Sequence, residues 1–305
     1  MGLDGPGLDA QPDTADRPLA KQGERPWLGE RLGDRSMGDA SRSIPILTYH
    51  SIDNSGGVLS TPVQTFERHV ATLHEEGIRT VGLPDIVACL SARNGLPPRA
   101  IALTFDDGFA SLYEHTFPLL CRYGFSATVF LVTDYCGRLN AWPGQPAGIT
   151  RLPLLRWPQI LEMSRGGIHF GAHTKTHPDL RLLTSPELDT EVRDSKREIE
   201  DRLGMAVDSF AYPYGRLDAR VKAVVSEHFA TACGTKLAFV RETSNPWCLE
   251  RLDACYLRSR LFPRYLNSPP AKAYLGMRRA LRAIRHSDLL GDFARILAGE
   301  RGHAV

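Results

Sequence analysis

The sequence predicts a parallel α/β barrel, and three observations carry that prediction. Strand-like apolar runs alternate with segments of helical periodicity from Ile44 to about residue 256, the pattern of a parallel sheet layered with helices. The run Ala100-Ile-Ala-Leu-Thr-Phe105 is almost continuously apolar, as a strand covered on both faces must be. No glycine-rich fingerprint follows the first strand, which argues against an open dinucleotide-type sheet, and the chemically notable residues all fall where strands end, the catalytic rim of a barrel.

Composition fits this class. At roughly 150 residues per domain, 305 residues suggest two domains, but one α/β barrel with tails absorbs the same length. Hydrophobic residues at 42% and charged residues at 24% exclude collagenous, coiled-coil and wholly disordered chains. The 37 Lys and Arg balance 35 Asp and Glu, so no global charge points to nucleic acid. No apolar run approaches the ~18 residues of a spanning helix, and no leader of charged then apolar residues opens the chain, so the expected location is the cytoplasm. Six cysteines without a C-x-x-C pair read as buried thiols in a reducing compartment.

Element by element, residues 1–43 hold seven glycines and many charges of both signs and are expected to be disordered, with Met37 standing as an alternative start just before the first strand. The barrel is expected over 44–262. Its first strand is 44–50, followed by a helix on which Phe66, Val70 and Leu73 recur before Gly77. After the strand Ala100–Phe105 come a helix over 112–123 and a buried strand over 127–132. Residues 133–153, rich in Pro and Gly and carrying Trp142, read as a long loop of the kind that is often functional. Then follow a helix over 157–165, a strand over 168–172 and a long helix over 185–203 opened by Ser185-Pro186-Glu187. A strand over 209–212, a helix over 218–228 and a strand over 229–233 complete the alternation, and Leu249-Glu-Arg251-Leu-Asp253 lies near the last strand. Residues 263–305 read as a helical basic extension, with Lys272, Arg278, Arg279, Arg282 and Arg285 among Leu275, Leu281 and Ile284; contact with an anionic membrane is conceivable but a solvated helix packed on the barrel is favoured.

Three clusters carry chemistry. Thr104-Phe105-Asp106-Asp107-Gly108 closes a buried strand, so one carboxylate could hold a metal while its neighbour takes a proton; an Asx-type turn capping the next helix explains the same residues. His173-Thr-Lys-Thr-His177 places two histidines four apart, able to converge on one ion, and lacks the Glu of an H-E-x-x-H peptidase. His169 shares the strand face of His173 but reads as a packed or solvated residue. Tyr212-Pro213-Tyr214-Gly215 makes a rigid turn that could aim a backbone N–H into a site, or could simply end a strand.

Taken in this order, Thr-Phe-Asp-Asp-Gly, His-Thr-x-x-His-Pro and Tyr-Pro-Tyr-Gly resemble the polysaccharide deacetylases, carbohydrate esterase family four, over about residues 44–256. The opening Leu47-Thr-Tyr-His50-Ser-Ile52 resembles the branch that includes poly-N-acetylglucosamine deacetylases, where the motif order is permuted and the active-site histidine comes from the first strand. The resemblance implies a distorted (β/α) barrel as a single domain. It implies a divalent metal, zinc first, on Asp107, His173 and His177, with Asp106 as general base and His50 as general acid. Tyr214, beside Pro213, would supply a backbone N–H to the oxyanion. The expected substrate is an N-acetylated glycan and the expected product acetate. A small-amide hydrolase on the same metal site, or a non-catalytic carbohydrate-binding relative, remain as alternatives. One departure stands out: the arginine that many members place two residues before the motif-three proline, where it orients the base, is Ala211 here. Arg251 is the candidate replacement and Arg216 a weaker one; a surface position for both is the bland alternative. An Asp-x-Trp element found in some relatives is not recognisable. Trp142 is a candidate sugar-stacking platform, equally readable as an anchor for its own loop.

Overall fold

The computed structural model describes residues 43–92, 95–257, 266 and 268–286, with side chains in the last helix described as far as Leu281. Seven parallel strands close a barrel: β1 (Ile46–Tyr49), β2 (Ala100–Phe105), β3 (Thr128–Leu131), β4 (His169–Ala172), β5 (Ser209–Ala211), β6 (Thr231–Leu237) and β7 (Leu249–Asp253). Each pairs with the next in sequence, and β7 returns to β1 with Leu252 opposite Leu47 and Asp253 opposite Thr48. All strands are parallel, so their C-terminal ends form one rim. Helices α1 (Val63–Glu75), α2 (Leu83–Ala92), α3 (Phe117–Tyr123), α4 (Trp157–Arg165), α5 (Ser185–Leu203) and α6 (Ala219–His228) lie in the crossovers, and α7 (Pro269–His286) follows the barrel.

The two-residue period of a strand sorts the core into two layers. In β2, Ile101, Leu103 and Phe105 join the large outer cluster with α1 residues Phe66, Val70 and Leu73, whereas Ala100 and Ala102 belong to a separate inner cluster with Ile46, Phe130, Ala211 and Cys233. The inner cluster fills the barrel lumen, and glycine makes room for it. A Cβ on Gly171 would lie 2.6 Å from the Phe130 ring and 2.7 Å from the Ser209 carbonyl oxygen, so only glycine lets Phe130 sit across the lumen. Above this plug the inward rows continue upward by twos: Thr48 to His50, Thr104 to Asp106, Gly171 to His173, Arg251 to Asp253. The fold therefore delivers four chemically capable side chains to one rim before any loop is considered.

Most expected elements are present with shifted ends. Pro45 splits the first run, so that Ser43–Ile44 pairs antiparallel with Val240–Arg241 and β1 starts only at Ile46. The 112–123 helix opens with one wide turn, Leu112–Thr116, before α3. The strand expected over 229–233 runs instead over Thr231–Leu237. The long helix α5 starts on a capping box, in which the Thr184 N–H and hydroxyl both donate to Glu187 at 2.8 and 2.7 Å, and it buries Leu188, Val192, Ser195 and Ile199 on one face. Helix α2 was not anticipated at all. It is short, and Leu83, Ile86 and Cys89 are too few apolar positions for a clear period.

The six cysteines are free, but the expectation that all are buried is corrected: Cys89 and Cys233 are buried, Cys121, Cys136 and Cys248 half-buried, and Cys255 exposed. Of the segment expected to be disordered, residues 1–43, Ser43 is instead paired with Arg241 and residues 1–42 lie outside the described residues, as do residues 287–305 and the side chains of Ile284, Arg282 and Arg285. Of the basic extension, α7 buries Leu275 against the outer cluster and stacks Arg278 on the Tyr256 ring at 4.6 Å, while Tyr274, Met277 and Leu281 face outward. Among the described residues no helix is long and apolar enough to cross a membrane.

Candidate active site

The rim holds a pocket of about 210 Å³ whose floor and walls include His50, Asp106, Asp107, His173, His177 and Arg251. Each reaches it for a local reason. Strand β1 pairs with β2 so that Tyr49 opposes Phe105, and the Asp106 N–H donates to the Tyr49 carbonyl at 3.0 Å. This sets His50 beside the two aspartates across 56 positions of chain. Asp106 continues the lumen-facing row of β2. Asp107 does not: its φ of 70° breaks the strand and swings its side chain the other way. Adjacent carboxylates thus acquire different surroundings.

Asp106 is 4% exposed and Arg251, from β7, is 2% exposed. They meet as a two-pronged ion pair, Arg251 Nη1 to Asp106 Oδ1 at 2.7 Å and Nη2 to Oδ2 at 2.8 Å. The guanidinium is fixed on its other edge, where Nε donates to the Gly234 carbonyl at 2.9 Å and Nη1 also reaches Thr104 Oγ1 at 3.3 Å. Burial pushes the Asp106 carboxyl up, but the Arg251 charge, with His173 and the Arg251 hydrogen bonds, overrides it and holds the group well below the ordinary carboxylate range. Ala211 contributes only a methyl group to the lumen cluster; the arginine comes from across the barrel instead. Arg216 pairs instead with Asp179 at 3.0 Å and lies over the Tyr214 ring at 5.3 Å.

Asp107, His173 and His177 form the second half of the site. Asp107 Oδ1 lies 3.5 Å from His173 Nε2 and 3.4 Å from His177 Nε2, and the two imidazole nitrogens are 3.2 Å apart. His173 Nδ1 lies 2.7 Å from the Ala211 carbonyl. A carbonyl only accepts, so that nitrogen carries a proton and Nε2 is the ring nitrogen turned to the pocket. Burial, with His173 alongside, lowers His177 well below the ordinary imidazole range and keeps it neutral. Burial raises Asp107 and the Asp106 charge adds to this, while His50 and His173 oppose it. Two imidazole nitrogens and one carboxylate oxygen converging in a buried pocket fit a divalent cation: the donor set suits it, and its charge would offset the cost of burying Asp107. His177 Nδ1 is buried and has no hydrogen-bond partner among the described residues.

The loop between the histidines is held from α5. Glu191 accepts the N–H groups of Lys175 and Thr176 at 2.8 and 2.9 Å and the Thr176 hydroxyl at 2.7 Å. Within that clamp Thr174 and His177 both adopt left-handed backbone, φ 68° and 61°. Only five non-glycine residues among those described do so. Four of them, Asp107, Thr174, His177 and Tyr214, sit in the three loops that build this site. Each such conformation costs of order 1–3 kcal/mol and persists only where its surroundings enforce it. Tyr214, φ 57°, follows the buried Pro213, and its ring stands edge-on to His177 with centroids 4.5 Å apart. Gly215 follows with φ 66°, where an added Cβ would overlap the Thr235 side chain.

The structure brings together Asp106, Asp107, His173, His177, His50, Arg251 and the Pro213-Tyr214 turn. Trp142 requires correction. It is only 5% exposed, its ring lies 4.4 Å from that of His177, and Tyr135 packs edge-on against it at 5.5 Å, so it buttresses a histidine and offers no open face to a sugar. His169 lies at the opposite, N-terminal end of β4, on the lower rim of the barrel. Sequence reasoning missed three contributors: Glu191, Gln145 and Asp253, the last two lining the pocket. For Asp253 the signal was available, since it stands two residues beyond Arg251 on the same strand face. Glu191 and Gln145 carry no local motif.

Comparison with known proteins agrees with this geometry. The family model described as polysaccharide deacetylase matches residues 93–232. The chain is 31% identical over 173 residues to YxkH of Bacillus subtilis (strain 168), 57% of each chain, and 26% identical over 174 residues to the poly-beta-1,6-N-acetyl-D-glucosamine N-deacetylase of Staphylococcus epidermidis, 53% of this chain and 56% of that one. It therefore spans little more than half the length of these relatives. Among solved structures, the fold resembles the Streptococcus pyogenes deacetylase PplD in complex with acetate, with TM-score 0.60, 24% identity, and 69% of this chain and 92% of that one covered. IcaB from Ammonifex degensii gives TM-score 0.60 at 22% identity, covering 77% and 97%. The barrel, the motif order and the matched region agree: residues 93–232 match the polysaccharide deacetylase family, within a fold that resembles those of the solved deacetylases.

Proposed function

We propose that this protein hydrolyses the N-acetyl group of N-acetylglucosamine units in an oligo- or polysaccharide, releasing acetate, with a divalent cation, zinc by its donor set, held by Asp107, His173 and His177. The observation that carries the reading is the division of labour between adjacent carboxylates, Asp106 gripped by Arg251 and Asp107 facing two imidazoles in the same pocket. The Staphylococcus epidermidis relative, named as a poly-beta-1,6-N-acetyl-D-glucosamine N-deacetylase, supports the substrate class.

The cation supplies Lewis acidity, polarising the acetyl carbonyl and lowering the pKa of a nearby water from about 16 toward ~7. The chain's residues do the rest. Arg251 keeps Asp106 ionised, and Asp106 receives the proton of the attacking water. A carboxylate this acidic needs a water already made acidic, which is why the two aspartates must act together. The Tyr214 N–H stabilises the tetrahedral oxyanion, its turn pinned by Pro213 and Gly215. His50 protonates the departing sugar amine. The Arg251 grip also favours a catalytic reading over a binding-only one, since the feature that argued for a dead relative was the missing arginine at Ala211.

Acetate release from N-acetylglucosamine oligomers tests the reading. Release should stop on treatment with a chelator and return when zinc is restored. A chelated protein that keeps its full rate, or a parent inert on every N-acetylated oligomer, contradicts it.

His50 makes a sharper test. Histidine holds and releases a proton near neutral pH, and an amine departs poorly without one. His50→Ala should leave metal content and stability unchanged and lower turnover on the N-acetylated sugar by about 10²–10⁴-fold. An aryl acetate, whose leaving group needs little acid help, should lose far less. Equal rates for variant and parent on both substrates remove His50 from the mechanism.

A further inference from the structure

Strand β4 ends at Ala172, and the two ligand histidines lie on the turn that follows. The His173 N–H still joins the barrel ladder, donating to the Leu131 carbonyl at 2.8 Å. Beyond it the barrel side grips carbonyls: Thr174 and Lys175 accept the N–H groups of Thr133 and Asp134 at 3.2 and 3.0 Å. The N–H groups of the turn are met from other directions. His177 donates to Thr174 Oγ1 at 2.9 Å, inside the turn itself. Lys175 and Thr176 both donate to Glu191 Oε2, at 2.8 and 2.9 Å, and the Thr176 hydroxyl donates to Glu191 Oε1 at 2.7 Å. Two successive N–H groups meet on one oxygen only if that oxygen is held in place. Helix α5 does this: Glu191 stands one turn after Leu188 and one turn before Ser195, at the edge of the face that α5 buries.

The clamped conformation is one the chain would not choose alone. Thr174 and His177 both carry a Cβ and both are left-handed, at φ 68° and 61°. It is also the conformation that suits a cation. Ligands about 2.0–2.1 Å from a tetrahedral zinc stand about 3.4 Å from one another. The His173 and His177 nitrogens are 3.2 Å apart, and Asp107 Oδ1 lies 3.4 and 3.5 Å from them. A turn that must hold two left-handed residues to present its histidines needs a grip from outside, and Glu191 supplies one.

Resting on the reading of Asp107, His173 and His177 as metal ligands, we infer that Glu191 is a positioning residue that sets the affinity of this site for its cation. It acts through the reach and acceptor capacity of its side chain, not through its charge. When the clamp is removed the turn relaxes, and apparent affinity falls by the fraction of chains whose histidines still converge. Partners of this kind, one step removed from the metal, typically contribute 10–100-fold in affinity.

Reach and charge are separated by two substitutions. Glu191→Gln loses the charge but keeps the length; its amide oxygen can accept both N–H groups while its NH2 donates to the Thr176 hydroxyl. Glu191→Asp keeps the charge and is one methylene short. Zinc titrated calorimetrically into the full chain stripped of metal should give a Kd within about threefold of the parent for Glu191→Gln, and about 10–100-fold weaker for Glu191→Asp and Glu191→Ala. Thermal unfolding of the stripped proteins establishes that each variant folds; should Glu191→Ala not fold, the Gln and Asp variants decide alone. Parental affinity in Glu191→Asp with loss in Glu191→Gln assigns the effect to charge and overturns the inference. A parent that binds no zinc, or binds it as tightly after His177→Ala, overturns the ligand reading and this inference with it. Zinc lost in His177→Ala but bound equally by the parent, Glu191→Ala and Glu191→Asp overturns this inference alone.

Discussion

Arg251→Gln is expected to lower turnover by about 10²–10³-fold and to move the acid limb of the pH–rate profile to higher pH. In the parent, burial raises Asp106 but the guanidinium and its hydrogen bonds win and hold it ionised far into acid. Without that charge, burial is opposed only by His173 and His50, the carboxyl protonates at a higher pH, and the base is lost over part of the working range. Stability follows the same sign. The depressed Asp106 contributes stabilisation that is present above the ordinary carboxylate range and lost only as pH falls toward its low folded value. In the variant the folded pKa rises from its depressed value, so leaving the buried carboxylate without its guanidinium costs about 3–5 kcal/mol at neutral pH, and that deficit shrinks as pH falls. Arg251→Lys keeps the charge but not the fork and should fall between the two. Rate profiles and thermal unfolding at several pH values measure all of this; superimposable profiles for parent and Arg251→Gln would mean that the pair does not set the base.

Asp107→Asn is expected to abolish metal-dependent turnover by a different route. The substitution removes an acidic ligand from a site that otherwise offers only two imidazoles. Because burial disfavours the Asp107 charge, the neutral amide should leave the metal-free fold at least as stable as the parent. The difference appears on adding zinc. A ligand binding only the folded state at 100 times its Kd stabilises by about 2.7 kcal/mol, so the parent Tm should rise and that of Asp107→Asn should hardly move. An equal zinc-dependent rise in both proteins removes Asp107 from the ligand set.

What could be read from the sequence was what is written locally. The near-continuous apolar strands, the Ser185-Pro186-Glu187 opening of α5 and the motifs at strand ends each depend on neighbours a few positions away, and each led to an element or a site residue that the structure contains. The period of two did more than locate strands. It decides that His50, Asp106, His173 and Arg251 follow the lumen rows while Phe105 and Leu103 face the helices. Long-range pairing was not legible. Arg251 meets Asp106 across 145 positions, and only the vacancy at Ala211 made it a candidate. Glu191 works by accepting backbone N–H groups from a loop 15 and 16 positions away, a role that any exposed glutamate on a helix resembles in sequence. Trp142 was left with two readings because an aromatic in a long loop has the same signature whether it meets a sugar or a histidine ring. Helix α2 was missed because its few buried positions set no period.

The central claim is that two consecutive aspartates do different work, and bound metal per chain in Asp106→Asn and Asp107→Asn tests it most directly. Asp106→Asn removes the base at nearly constant volume and leaves Asp107, His173 and His177 in place, so it should hold metal as the parent does while turnover falls by about 10²–10⁴-fold. Asp107→Asn should hold little or none. Metal lost from Asp106→Asn and retained by Asp107→Asn would reverse the two roles and contradict the account.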